Sequence, residues 1–199
     1  MSHDDVEVSR RQNQEAYNHE LVTSEDFYVS EMEVIITHIV NPLRGNASRC
    51  GIKAAEVDVV FGTMKHLLTF HLSLLRTLRD EVSVVPTFAS YIAFVQMYSD
   101  YLQQYTAVLD VVAEWASSME FREFMRLRLL NPRCQQFVKG GLSSMPWYLY
   151  RPFERIKQYY RFFKDLQKIT DRHDREYALI LKCKETLKPL HDKIRRRMS

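Results

Sequence analysis

The chain has 199 residues, of which 46% are apolar, 12% aromatic and 27% charged, with five Gly and six Pro. That composition buries a core within one domain and excludes disordered and collagen-like classes, and so few turn formers exclude a sandwich of many short strands. The net charge of +3 hides a polarity along the chain: residues 150–199 carry 15 Lys+Arg against 7 Asp+Glu, or +8, while residues 1–149 stand at −5.

The first 13 residues read as a flexible N-terminal segment, acidic and without an apolar stretch, so they resemble no secretory signal. A helix follows on the stripe Leu21, Tyr28, Met32, Ile35 and Ile39 and ends near Asn41-Pro42 and Gly45-Asn46. The second helix is cleaner, with Val57, Val60, Phe61, Met64, Leu68, His71, Leu75 and Leu78 spaced by three or four apart from the adjacent Val60 and Phe61, the period of one helical face. Pro86 suits the first turn of a third, because its missing N–H costs nothing there. That helix carries Phe88, Ile92, Val95, Tyr98, Leu102 and Tyr105 toward Leu109 and Val112.

A shorter helical run is expected over about 116–129, stopping at Asn131-Pro132. Gly140-Gly141, Ser143-Ser144 and Pro146 mark an irregular loop. The fifth helix runs on Leu149, Ile156, Tyr159, Phe163 and Leu166 to Thr170-Asp171. The last carries Tyr177, Ile180, Cys183, Leu187, Leu190 and Ile194 into Arg195-Arg196-Arg197. Pro152 and Pro189 fall inside these two helices, where kinks are expected. The fold class is therefore all-α, an elongated antiparallel bundle of five to six main helices filling residues 14–197 as one domain.

Chemistry is sparse. No phosphate-cradling glycine motif is present, and His66 and His71 are five apart without the Glu that a zinc protease needs between them. His71 lies on the apolar stripe and reads as a core histidine with one nitrogen satisfied. Ser143 and Ser144 read as loop or capping residues, with no strand before them to form a nucleophile elbow. Cys50, Cys134 and Cys183 are odd in number and far apart, which fits a reducing compartment rather than a disulfide framework. No metal or cofactor is expected. The aromatic and basic mixture around Tyr148, Tyr150, Tyr159, Tyr160 and Phe162 has the ingredients of a base-stacking surface, yet aromatics at helical spacing are usually core, so nucleic acid is set aside as a partner.

Three ordered blocks carry more information. Glu20-Leu21-Val22-Thr23-Ser24-Glu25-Asp26-Phe27-Tyr28-Val29 looks like an E-L-x-x-T-E-x-x-Y-V opening, with Ser24 in place of the threonine. Val60-Phe61, His71 and Leu74-Leu75 form the second block. Leu149-Tyr150-Arg151-Pro152-Phe153-Glu154-Arg155-Ile156, followed by Tyr159, Leu166 and Thr170, is the third. Together with Tyr98, Tyr101 and Tyr177, they resemble the Dbl homology (DH) domain of Rho-family guanine nucleotide exchange factors, over about residues 14–197.

The resemblance implies a mechanical activity without covalent chemistry: binding the switch regions of a Rho-family small GTPase and promoting GDP release. It implies GTPase contacts at Glu25, Arg151, Glu154, Arg155, Tyr159, Leu187, Lys188 and His191. Glu25 matches the acidic residue that meets switch I, and Glu25→Ala is expected to abolish exchange with helical content unchanged. Arg151 stands where the family has a lysine for switch II, a planar fork in place of a point charge. Glu154 replaces a glutamine, and Leu187-Lys188 stand where a hydrogen-bonding Asn or Asp is usual, with His191 or Asp192 as substitutes in a shifted register. These departures motivate the alternative of an exchange-inactive DH-like scaffold for a GTPase or another protein. A cytoplasmic setting is expected, with peripheral membrane recruitment through the basic C-terminal helix, and members of the family usually continue into a pleckstrin homology domain.

Overall fold

In the computed structural model, residues 3–81, 83–137 and 145–198 are described, and among them every regular element is helical. Helix α1 (His3–Ile35) passes through a π-helical turn (Ile36–Val40) into α2 (Asn41–Gly45), with Pro42 in the first turn of α2. A 3-10 turn (Ala47–Cys50) follows and closes on Gly51 at φ 73, a left-handed conformation open to glycine without steric cost. Then come α3 (Ala54–Asp80), α4 (Val84–Tyr91), a 3-10 turn (Ile92–Phe94), α5 (Val95–Ser117), α6 (Met119–Leu129), α7 (Pro132–Phe137), α8 (Met145–Ile169) and α9 (Tyr177–Arg197). No described helix is long and apolar enough to cross a membrane. The expected loop residues Gly140, Gly141, Ser143 and Ser144 lie outside the described residues, while Pro146 sits in the first turn of α8.

Three boundaries differ from expectation, each for a local reason. The third helix starts at Val84, two residues before Pro86, and is broken by the 3-10 turn at Ile92–Phe94. Phe88, Ala89, Ile92 and Phe94 are all buried, so packing on several sides, invisible to a single-face period, sets the tighter turn. The break between α5 and α6 falls at Ser118, whose extended backbone and hydroxyl cap the next helix by accepting from Phe121 N at 3.2 Å. Beyond Asn131 the chain makes one more helix, α7, because Asn131 Oδ1 accepts from Arg133 N at 2.9 Å and Pro132 occupies the first helical position.

The chain divides into two compact units. The first unit comprises residues 1–28, 71–98 and 153–199, and the second residues 29–70 and 99–152. In the first, Leu21, Tyr28, Leu74, Leu78, Phe88, Tyr98, Phe153, Ile156, Tyr159, Phe163, Ile180 and Leu187 are buried. Phe88 and Tyr159 meet edge to face at 4.8 Å, and Ser83 Oγ donates at 2.5 Å to Glu176 ahead of α9. In the second, Met32, Ile39, Leu43, Val57, Phe61, Met64, Tyr101, Val112, Trp115 and Leu149 form the core. Both α8 and α9 remain helical through Pro152 and Pro189. Pro152 has no N–H to offer the Tyr148 carbonyl four residues earlier, and Tyr101 Oη donates at 2.7 Å to the adjacent Leu149 carbonyl.

Candidate functional site

The first unit gathers charged and polar groups around one carboxylate. Glu25 on α1 is fully buried, and its four donors come from two other helices. His71 on α3 donates from Nδ1 to Oε1 at 2.6 Å. Arg155 on α8 donates from Nε at 3.1 Å and from Nη2 at 2.5 Å to Oε2, and the Tyr159 hydroxyl also donates to Oε2. An ionised carboxylate has about four lone-pair sites, so this set saturates it. Because the carboxylate only accepts, the proton of this hydrogen bond belongs to His71 Nδ1. In the neutral ring Nε2 then accepts from Tyr98 Oη on α5 at 2.6 Å. Both ring nitrogens are thus engaged, where the sequence suggested one.

Arg155 is itself buried. Besides Glu25 it donates from Nη1 to Ser24 Oγ at 3.1 Å and Gln158 Oε1 at 2.9 Å. Its guanidinium lies 4.2 Å from the Tyr159 ring centroid and 5.7 Å from that of Tyr28, both within cation–π range. A cavity of about 340 Å³ between α1 and α8 adjoins this group, lined by Tyr17, Glu20, Ser24, Arg155, Gln158 and Tyr159 among others.

Burial alone would raise the Glu25 carboxyl, but the Arg155 guanidinium, His71 and the Tyr159 hydroxyl outweigh it and hold it at about 2. Burial pushes the Tyr159 and Tyr98 hydroxyls well above their ordinary value, so both remain protonated donors. The folded-state value of Glu25 lies below its unfolded 4.5. Its contribution, about 3 kcal/mol, is therefore present above pH 5 and lost as pH falls from about 5 toward 2. Urea unfolding at pH 7, 4 and 3 should show that decline, and Glu25→Gln should flatten it; equal pH dependence in both proteins would exclude Glu25 as its source.

The second unit holds Arg151. Its Nε donates to Glu31 Oε2 at 2.7 Å, Glu31 being only 1% exposed, and its guanidinium stacks 5.0 Å from the Trp147 ring centroid. Of the other residues singled out in the sequence, Glu154 is half-buried beside Arg155, and Leu187 lies in the core and offers no surface. Lys188 is exposed, while His191 is half-buried, stacked at 4.2 Å on Tyr160 and 3.2 Å from Asp192 Oδ1. The structure thus brings Glu25, Arg155 and Tyr159 together, adds His71 and Tyr98 to them, and gives Arg151 a separate acidic partner.

Comparison with known proteins adds a functional context. The RhoGEF domain family matches residues 17–195. The chain is 21% identical over 179 residues to the Drosophila melanogaster protein still life, isoform SIF type 1, covering 80% of this chain and 8% of that one. It is 23% identical over 178 residues to the human Rho guanine nucleotide exchange factor TIAM2, covering 79% of this chain and 10% of that one. It therefore spans about a tenth of the length of these curated relatives. Among solved structures, the DH domain of FARP2 superposes with a TM-score of 0.76 at 15% identity, over 92% of this chain and 89% of that one. PDZ-RhoGEF DH/PH domains in complex with activated RhoA give 0.77 at 11% identity, over 94% and 54%. At these identities the superpositions establish the fold.

Proposed function

Because the chain belongs to the RhoGEF domain family, we propose that it binds a Rho-family small GTPase at its switch regions and promotes release of GDP. The observation that carries this reading is the family match, which runs through all three sequence blocks. The contacts we assign are Glu25, Glu154, Lys188 and His191 of the first unit and Arg151 of the second; Arg155 and Tyr159, singled out in the sequence as contacts, are as buried as Leu187 and act by holding Glu25. Leu187, being in the core, leaves the α9 contact to its exposed neighbours. No bond is made or broken in such a reaction. Whatever the chain gains by preferring the empty GTPase reappears as an equal loss of nucleotide affinity. A nucleotide held at nanomolar affinity represents about 12 kcal/mol, so several kcal/mol of differential binding are required.

A second reading is favoured by one feature: Glu25 and Arg151 both spend hydrogen bonds on buried partners within the chain. An exchange-inactive scaffold would bind a GTPase without needing either group. Binding to GDP-loaded and nucleotide-free Rho-type GTPases, followed by calorimetry, separates the two. Exchange activity requires at least hundredfold tighter binding to the empty form, about 3 kcal/mol, whereas similar affinities for both forms would leave the scaffold.

A further inference from the structure

We propose that the Glu25 carboxylate is held in a closed latch, with Tyr159 as the residue that sets how often it opens toward a partner. The inference rests on the exchange reading above only for its consequence, not for the latch itself. In the closed arrangement the four donors of His71, Arg155 and Tyr159 occupy the carboxylate. A partner can gain a hydrogen bond from Glu25 only by displacing some of them.

Opening is feasible because Arg155 does not depend on Glu25 alone. With the carboxylate gone, its Nη1 keeps Ser24 and Gln158, and its charge keeps the faces of Tyr159 and Tyr28. His71 likewise retains Tyr98 at Nε2, and its Nδ1 lies 3.3 Å from the Tyr159 hydroxyl. The cavity between α1 and α8 comes up to Ser24, the residue before Glu25, and to Arg155, and provides the room into which the carboxylate turns. The open form is a minor population that a partner draws out, and its abundance scales the apparent affinity directly.

Tyr159 is a positioning residue here, acting through Glu25. Tyr159→Phe removes one donor while keeping the ring that packs on Phe88 at 4.8 Å and under the Arg155 guanidinium. Glu25 keeps three donors, so no buried charge is stranded. Losing one hydrogen bond to a charged group multiplies the open population about tenfold or more.

The test labels the isolated 1–199 chain with a water-soluble carbodiimide and reads modification of Glu25 by mass spectrometry, beside release of fluorescent GDP from Rho-type GTPases. Tyr159→Phe should label Glu25 about tenfold faster than wild type and accelerate GDP release. Tyr101→Phe, which removes a buried hydroxyl bond to the Leu149 carbonyl in the other unit, should label at the wild-type rate. Equal labelling of wild type and Tyr159→Phe, or equal acceleration by both tyrosine variants, overturns the latch whatever the exchange result. Faster labelling of Tyr159→Phe without GDP release from any GTPase keeps the latch and removes the exchange reading.

Discussion

Glu25→Ala should cost the protein about 3–5 kcal/mol of stability, because it leaves the buried Arg155 guanidinium without the carboxylate that balances its charge. Domains of this kind have only about 5–15 kcal/mol in total, and for a chain of this length the loss corresponds to roughly 6–20 °C in Tm. The sequence alone suggested that this substitution would silence exchange and leave the fold untouched. The position of Glu25 at the centre of four donors from two helices changes that expectation. Thermal unfolding followed by circular dichroism decides it: a Tm within 2 °C of wild type would mean that Arg155 has another anionic partner or stays hydrated. Any loss of exchange in this variant has to be measured well below its new Tm before it is assigned to a missing contact.

The second large effect is a rescue. Arg155→Met alone leaves the Glu25 carboxylate buried with only His71 and Tyr159, and should be destabilising to a similar extent, about 3–5 kcal/mol. Glu25→Leu combined with Arg155→Met removes both charges and fills their volume, so the double variant should be more stable than either single one. The polar remainder has a way to reorganise. The Tyr159 hydroxyl lies 3.3 Å from His71 Nδ1, and a change of tautomer lets Nδ1 accept from Tyr159 while Nε2–H donates to Tyr98. A double-mutant cycle by urea unfolding measures the coupling. Additive losses would show that Glu25 and Arg155 stabilise the fold independently, contrary to the paired arrangement.

Much of the helical framework was legible in the sequence because it depends on local periodicity. The stripe from Val57 to Leu78 became α3, and the stripes of the last two helices became α8 and α9. What period could not show was the turn at Ile92–Phe94, where burial on several sides overrides the single-face pattern. The cap at Ser118 falls inside the run expected over about 116–129, because an apolar period marks the face of a helix and not its first residue. The three blocks pointed to Glu25, Arg155 and Tyr159, but not to their mutual enclosure. Glu25 meets partners 46, 130 and 134 residues away, and no sequence window contains such pairings. His71 was recognisable as a core residue, yet its role as the bridge between Glu25 and Tyr98 depends on α1, α3 and α5 meeting at one point. Arg151 was singled out in the sequence as the counterpart of a switch II-binding lysine, while the structure gives it Glu31, 120 residues earlier in the chain.

The same long-range pairings shape the functional reading. A surface that loosens another protein's hold on its nucleotide has to be rigid enough to concentrate binding energy in one state of that partner. A charge-saturated node joining α1, α3, α5 and α8 supplies such rigidity in the first unit, at the cost of withholding the carboxylate that the family resemblance assigns to the partner. Exchange activity and the latch are thus linked through one side chain, and the Tyr159→Phe variant is where they separate.

The most direct measurement is the release rate of fluorescent GDP from purified Rho-type GTPases titrated with the 1–199 chain. At least one GTPase should release GDP faster, by an amount that rises with chain concentration and then saturates. Release at the intrinsic rate from every GTPase tested, with a folded chain at saturating concentration, would contradict it.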